Sequence, residues 1–173
     1  MSQNTIAIVP LSATDEALLA AMTYEAIYLP EGAVAPPRSI VEEPALRKYY
    51  AGFGTRAGDI GVKAVARSSG TALGAAWVRL FTKEAPGYGY VDGETPELSV
   101  AINPAYRGQG IGTLLLAQLF AAVAQEYHAI TLSVWSDNPA YRLYQRLGFT
   151  LVKVEEGNPV VTMVKRVDGQ EIG

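Results

Sequence analysis

Apolar and polar positions along the chain switch between a period of two and a period near 3.6, predicting strands and helices in alternation. Residues 5–9 read as a strand, and 12–28 as a helix whose Ser12 and Asp15 stand close to a capping box. Residues 30–37 form a Pro/Gly-rich loop, and 44–50 suit a short helix. Residues 59–67 and 71–81 are a predicted hairpin around Ser68-Ser69-Gly70. A polar, Gly-rich loop over 82–96 leads to an apolar strand over 98–102, a glycine turn over 107–112 and a long helix over 113–125. The strand 130–135 precedes a short helix with Asn138 as N-cap, Pro139 at its first position and Gly148 just past its end. Ala140, Leu143, Tyr144 and Leu147 share one face of it, so Tyr144 is expected to point toward the sheet. Strands over 149–154 and 160–167 close the chain. The predicted class is α/β (α+β), with about seven strands and about four helices in the order β-α-α-β-β-β-α-β-α-β-β.

Composition narrows the field. A chain of 173 residues, 49% hydrophobic and 18% charged, suits a single domain over 1–173. A net charge of −3 offers no general attraction for nucleic acid. With no cysteine there is neither a disulfide framework nor a thiol nucleophile. A single histidine, His128, excludes most histidine-rich metal sites, and no metal is expected; at the end of the long helix it would favour the helix C-terminus. Residues 1–10 lack a basic signal-like region, and the most apolar run, 111–123, is too short to span a bilayer. The expectation is a cytoplasmic protein with no membrane contact.

The candidate chemistry begins at Arg107-Gly108-Gln109-Gly110-Ile111-Gly112, between a strand and a helix. The first amides of a helix lack partners inside it, and its dipole places about half a positive charge there. Arg107 adds a full charge, and no acidic residue follows until Glu126. A phosphate-bearing ligand is therefore expected. A dinucleotide fingerprint fails because Thr113 stands where its last glycine belongs, and a Walker A loop fails because no Gly-Lys pair occurs.

Arg107, Gly110 and Gly112 do match R/Q-x-x-G-x-G/A, the pyrophosphate loop of the GCN5-related N-acetyltransferases (GNAT). The segment N-P-A…L-Y-x-x-x-G-F, from Asn138 to Phe149, resembles the second signature of the same family. The resemblance implies the GNAT fold, a mixed and mostly antiparallel sheet flanked by helices, and acetyl-CoA as co-substrate. It implies that Gly108, Gln109, Gly110, Ile111, Gly112 and Thr113 hold the pyrophosphate together with Arg107. It implies also that Val100, Ala101 and Ile102 pair with the pantetheine arm, that Asn138 contacts that arm, and that Tyr144 protonates the departing thiolate. Asn138 and Tyr144 stand one position closer than is usual in the family, so Asp137 is the alternative to Asn138.

Acetyl transfer needs a neutral amine, and a lysine-like ammonium of pKa near 10.4 is well under ~1% neutral at pH 7. A base must take its proton. Glu97, at the start of the strand, is the candidate, with Asp92 and Glu94 in reserve. The acceptor pocket is expected from Tyr24, Glu25, Tyr28, Glu31, Tyr49, Tyr50 and Phe53, with residues 87–90 as an aromatic flap and the last turn alongside. The expected partner is a small-molecule, amino-acid or peptide amine, and the closing strands are a candidate homodimer surface. The alternatives are a non-catalytic acyl-CoA-binding sensor of the same fold and, disfavoured by glycine spacing, a nicotinamide-dependent oxidoreductase.

Overall fold

The structure is a computed structural model and describes residues 5–169. Seven strands, β1 (Ile6–Pro10), β2 (Ile60–Ala66), β3 (Ala72–Arg79), β4 (Glu97–Ile102), β5 (Ala129–Trp135), β6 (Thr150–Val154) and β7 (Val160–Arg166), form one sheet in the order β1-β2-β3-β4-β5-β7-β6. Every neighbouring pair is antiparallel except β4 and β5. Helices α1 (Glu16–Glu25), α2 (Pro44–Arg47), α3 (Ile111–Val123) and α4 (Ala140–Arg146) complete the predicted order.

The period of two in β3 explains the layers. Ala76 and Val78 face a core built with Leu115, Leu116 and Leu119 of α3, whereas Ala75 and Trp77 face Leu19 and Met22 of α1. Each helix thus buries an apolar stripe on its own side of the sheet, and β3, covered on both faces, reads as a nearly continuous apolar run. No helix of the described residues is long and apolar enough to cross a membrane.

Several element ends differ from the sequence reading. The first helix opens as a 3-10 turn, Ala13–Asp15, where Asp15 accepts the Ser12 amide at 2.9 Å and Lys63 Nζ lies 2.6 Å from its other oxygen. It stops at Glu25, because the Ile27 amide turns to Tyr24 O and tightens the last turn. The long helix starts earlier, at Ile111, as Gly110 turns into it with φ +79°. It ends at Val123, so His128 lies beyond it and instead meets Asp168 at 3.0 Å.

The parallel pair is where the sheet opens. Among the described residues β4 and β5 share one register pair, Glu97↔Thr131, at their N-terminal ends. The loop before β4 fastens that point: Thr131 Oγ1 donates to Gly89 O at 2.7 Å and the Thr131 amide to Pro96 O at 3.0 Å. A Cβ on Gly89 would stand 2.7 Å from the Leu132 carbonyl carbon, so only glycine lets the loop approach so closely. Beyond that point the two strands diverge, leaving a cleft.

Candidate active site

Two adjoining cavities, of about 490 and about 610 Å³, fill the cleft. Val100, Asn138 and Tyr144 border both, together with the C-terminal end of α1. The smaller also reaches Glu97 and β5; the larger reaches Arg107, Gly112 and α3.

The turn expected to hold an anion lies at the larger cavity. Gly108 and Gly110 hold φ of +77° and +79°, which L side chains rarely adopt. Gly112 is different: its φ is ordinary for a helix, and a Cβ there would meet nothing within 4 Å. Glycine in a helix costs roughly 0.5–1 kcal/mol relative to alanine. Neither a positive φ nor a close neighbour requires glycine at position 112. No acidic residue occupies the first turn of α3, and the Leu114 amide reaches back to Gly110 O at 3.3 Å, leaving the amides before it at the open helix end. Arg107 stands beside them. Its Nε donates to Ile102 O at 3.1 Å, and its Nη2 lies 3.4 Å from a carboxylate oxygen of Glu25.

Glu97 sits at the inner end of the smaller cavity, only 3% exposed. One oxygen accepts the Tyr49 hydroxyl and the other the Gly89 amide at 2.8 Å. Burial raises its pKa to about 7, although both bonds and the charge of Lys48 oppose the rise. Burial and the adjacent Glu97 push the Tyr49 hydroxyl up as well. Tyr49 is itself pinned, with Trp77 Nε1 donating to its carbonyl at 2.9 Å and the Tyr88 amide donating to its hydroxyl at 2.7 Å.

Tyr144 stands edge-on to Phe149 at 5.7 Å, and its hydroxyl bonds no described residue. Burial pushes that hydroxyl up to about 12. The helix starts one residue later than expected, with Pro139 and not Asn138 as the N-cap of α4. Asn138 Oδ1 instead accepts the Ala140 amide at 2.9 Å in the turn before it, while the residue borders both cavities. Asp137 is exposed and borders neither.

The sequence-predicted residues therefore divide. Glu97, Val100, Ala101, Ile102, Arg107, Gly112, Asn138 and Tyr144 border the cleft. Gly108, Gln109, Gly110 and Thr113 lie on the exposed or half-exposed turn next to it. The Ile111 side chain is in the core, 1% exposed, and only its backbone belongs to the turn. Ala101 likewise turns its methyl into the core under α1. Tyr50 and Phe53, expected in the acceptor pocket, are buried in that same core because they sit under the 3-10 segment around Val41. Asp92, Glu94 and Glu31 are exposed and border neither cavity. Of the expected aromatics, Tyr49 and Tyr88 border the smaller cavity, Tyr24 the larger and Tyr28 both, whereas Tyr90 borders neither. Trp135 was legible only as the end of a strand, yet its ring forms the wall opposite Tyr28, with centroids 5.6 Å apart. The hydrogen bond joining Tyr49 to Glu97 spans 48 positions and left no local signal in the sequence.

A model of the acetyltransferase (GNAT) family matches residues 27–149. The chain belongs to the GNAT acetyltransferase family. Solved GNAT structures share its fold over nearly the full length. PaiA N-acetyltransferase from Thermoplasma acidophilum, in complex with coenzyme A, is 19% identical with a TM-score of 0.63, covering 96% of this chain and 99% of its own. The yncA protein of Salmonella typhimurium, solved with acetyl-CoA, is 21% identical with a TM-score of 0.61 and 98% coverage of both chains. The ribosomal-protein-S18-alanine N-acetyltransferase of Escherichia coli is 15% identical with a TM-score of 0.62, covering 96% and 99%. No curated protein matches the sequence significantly.

Proposed function

We propose that this GNAT acetyltransferase moves the acetyl group of acetyl-CoA directly to a primary amine, with Glu97 as base and Tyr144 as proton donor. One observation carries the proposal. A single cleft joins a glycine-rich helix start, whose Gly112 has no structural need to be glycine, to a buried carboxyl with a pKa of about 7. The known structures that share the fold and hold acetyl-CoA or coenzyme A point the same way.

The donor fits the larger cavity. The amides of Gly108, Gly110, Gly112 and Thr113, with Arg107, would hold the pyrophosphate. The β4 edge from Val100 to Ile102, which lacks a strand partner on that side among the described residues, would pair with the pantetheine amides. Acetyl-CoA supplies an acyl group activated as a thioester. Glu97 takes a proton from the ammonium, the freed nitrogen attacks the thioester carbonyl to form the C–N bond, and Tyr144 donates toward the sulfur as the C–S bond breaks. The second proton that the nitrogen loses on becoming an amide restores the tyrosine. A carboxyl of pKa near 7 is half ionised at neutral pH, close to the optimum for a general base. A tyrosine at about 12 is a weak acid against a thiol near 8.5, so it supports the departing sulfur mainly through a hydrogen bond.

Calorimetric titration with acetyl-CoA tests the donor site, with Gly112→Glu as partner variant. A Cβ at that position meets no neighbour within 4 Å, and the carboxylate sets a negative charge where phosphate would lie. Saturable binding lost in Gly112→Glu is the expected result, and absence of binding to the wild type overturns the proposal. In turnover assays Tyr144→Phe is expected to lower kcat about 100-fold and Glu97→Gln kcat/KM by about 100- to 1,000-fold. Binding without turnover over a broad amine panel would leave a non-catalytic acyl-CoA-binding module.

A further inference from the structure

The cavity that reaches Glu97 has one charged side chain in its wall among the described residues, and it is Glu97 itself. The rest is aliphatic or aromatic, with Ile27, Ile40 and Leu46 set among Tyr28, Tyr88 and Trp135, or carries hydroxyls or, at Asn138, a neutral carboxamide. The cations of the region are engaged elsewhere. Lys48 Nζ donates to Pro86 O, and Arg38 and Arg107 both meet Glu25, which borders the other cavity.

We propose that the acceptor is an apolar primary amine with no carboxylate beside its nitrogen, and not an α-amino acid. The inference rests on acetyl transfer as proposed above and adds the class of amine. An ammonium entering this cavity meets a carboxyl and aromatic rings, both of which attract a cation. An aryl or alkyl body matches the remaining wall, and a volume of about 490 Å³ accommodates a molecule of that size. The carboxylate of an α-amino acid lies two bonds from the nitrogen and has to follow it inside. There it would be desolvated beside Glu97 with no cation in the cavity wall to pair with, which disfavours binding.

Initial rates with phenethylamine, phenylalanine and phenylalaninamide at saturating acetyl-CoA test this, read as released thiol. The expected kcat/KM for phenethylamine exceeds that for phenylalanine by at least ~100-fold, with phenylalaninamide between them. Leu46→Arg, which adds a guanidinium to the wall, is expected to narrow that ratio about tenfold or more. Comparable rates for phenylalanine and phenethylamine in the wild type overturn the inference while leaving acetyl transfer intact. If acetyl-CoA binds but no amine is acetylated, acetyl transfer itself fails. The two ligands' quenching of tryptophan fluorescence then decides the acceptor class: preference for phenethylamine upholds it, and equal or absent binding overturns it.

Discussion

At the scale of single residues, Glu97 has the most to say, because its chemistry follows from being buried. A strand-end carboxylate in solvent would be ionised throughout the neutral range and too weak a base to help. Enclosed by Gly87, Gly89 and Tyr49, it holds its proton up to about pH 7. For the proposed reaction, log kcat/KM is expected to rise with pH up to a break near 7 and to flatten above it, until the amine itself titrates. Glu97→Gln should remove that break while leaving any rise due to the amine. A wild-type profile without a break between pH 6 and 8 would show that another group, or water, takes the proton.

At the scale of elements, the β4–turn–α3 unit and α4 set the geometry, and both were legible in the sequence. A β-period run, glycines with a positive φ and a cap-Pro-…-Gly helix are local signals, since each depends on neighbours within a few positions. Gly112 was legible as part of a motif, but the open space around it, which shows that no neighbour demands a glycine there, was not. Tyr49, Trp135 and the misplaced Tyr50 and Phe53 show the converse. Which of Tyr49, Tyr50 and Phe53 faces a cavity depends on how the 38–53 segment lies across α1 and the sheet, and no periodicity encodes that. Asn138 joins the two kinds of information, since it both accepts the first amide of α4 and borders the cleft. Asn138→Asp keeps the oxygen that accepts the Ala140 amide and removes the amide donor. Thermal melting should therefore shift by no more than a few degrees, whereas acetyl-CoA affinity falls several-fold; Asn138→Ala should lose both, with about 1 kcal/mol of stability.

For the whole molecule, buried charge sets how stability depends on pH. Asp59 and Arg79, each 1% exposed at the side chain, tie the 48–59 segment to the sheet, and Arg79 Nη1 also donates to the carbonyls of Lys48 and Ala51. Burial alone would raise the Asp59 carboxyl, yet its bonds to Arg79 and to the Arg56 and Gly54 amides hold it below its ordinary value. Its contribution is present above that ordinary value and lost only as the pH falls through the lowered one. Glu97 acts with the opposite sign. Its carboxyl titrates near 4.5 unfolded and near 7 folded, so its effect is absent below 4.5, stability drops as the pH rises between the two, and the loss is complete above 7. A shift of that size corresponds to something on the order of 3 kcal/mol. Denaturant midpoints should fall from pH 5 to pH 8 in the wild type, and Glu97→Gln should flatten that slope whatever its own absolute stability. Equal slopes in the two proteins would mean that the carboxyl is ionised well below pH 7.

The divergence of β4 from β5 has one more consequence. Because the two cavities adjoin along Val100, Asn138 and Tyr144, the proposed reaction can hold donor and acceptor side by side. Neither has to vacate before the other is admitted, and no residue is needed to store the acetyl group between two visits. Traffic through the enzyme is then governed by how long both occupants stay at once, and a catalyst without a single cysteine has no need of one.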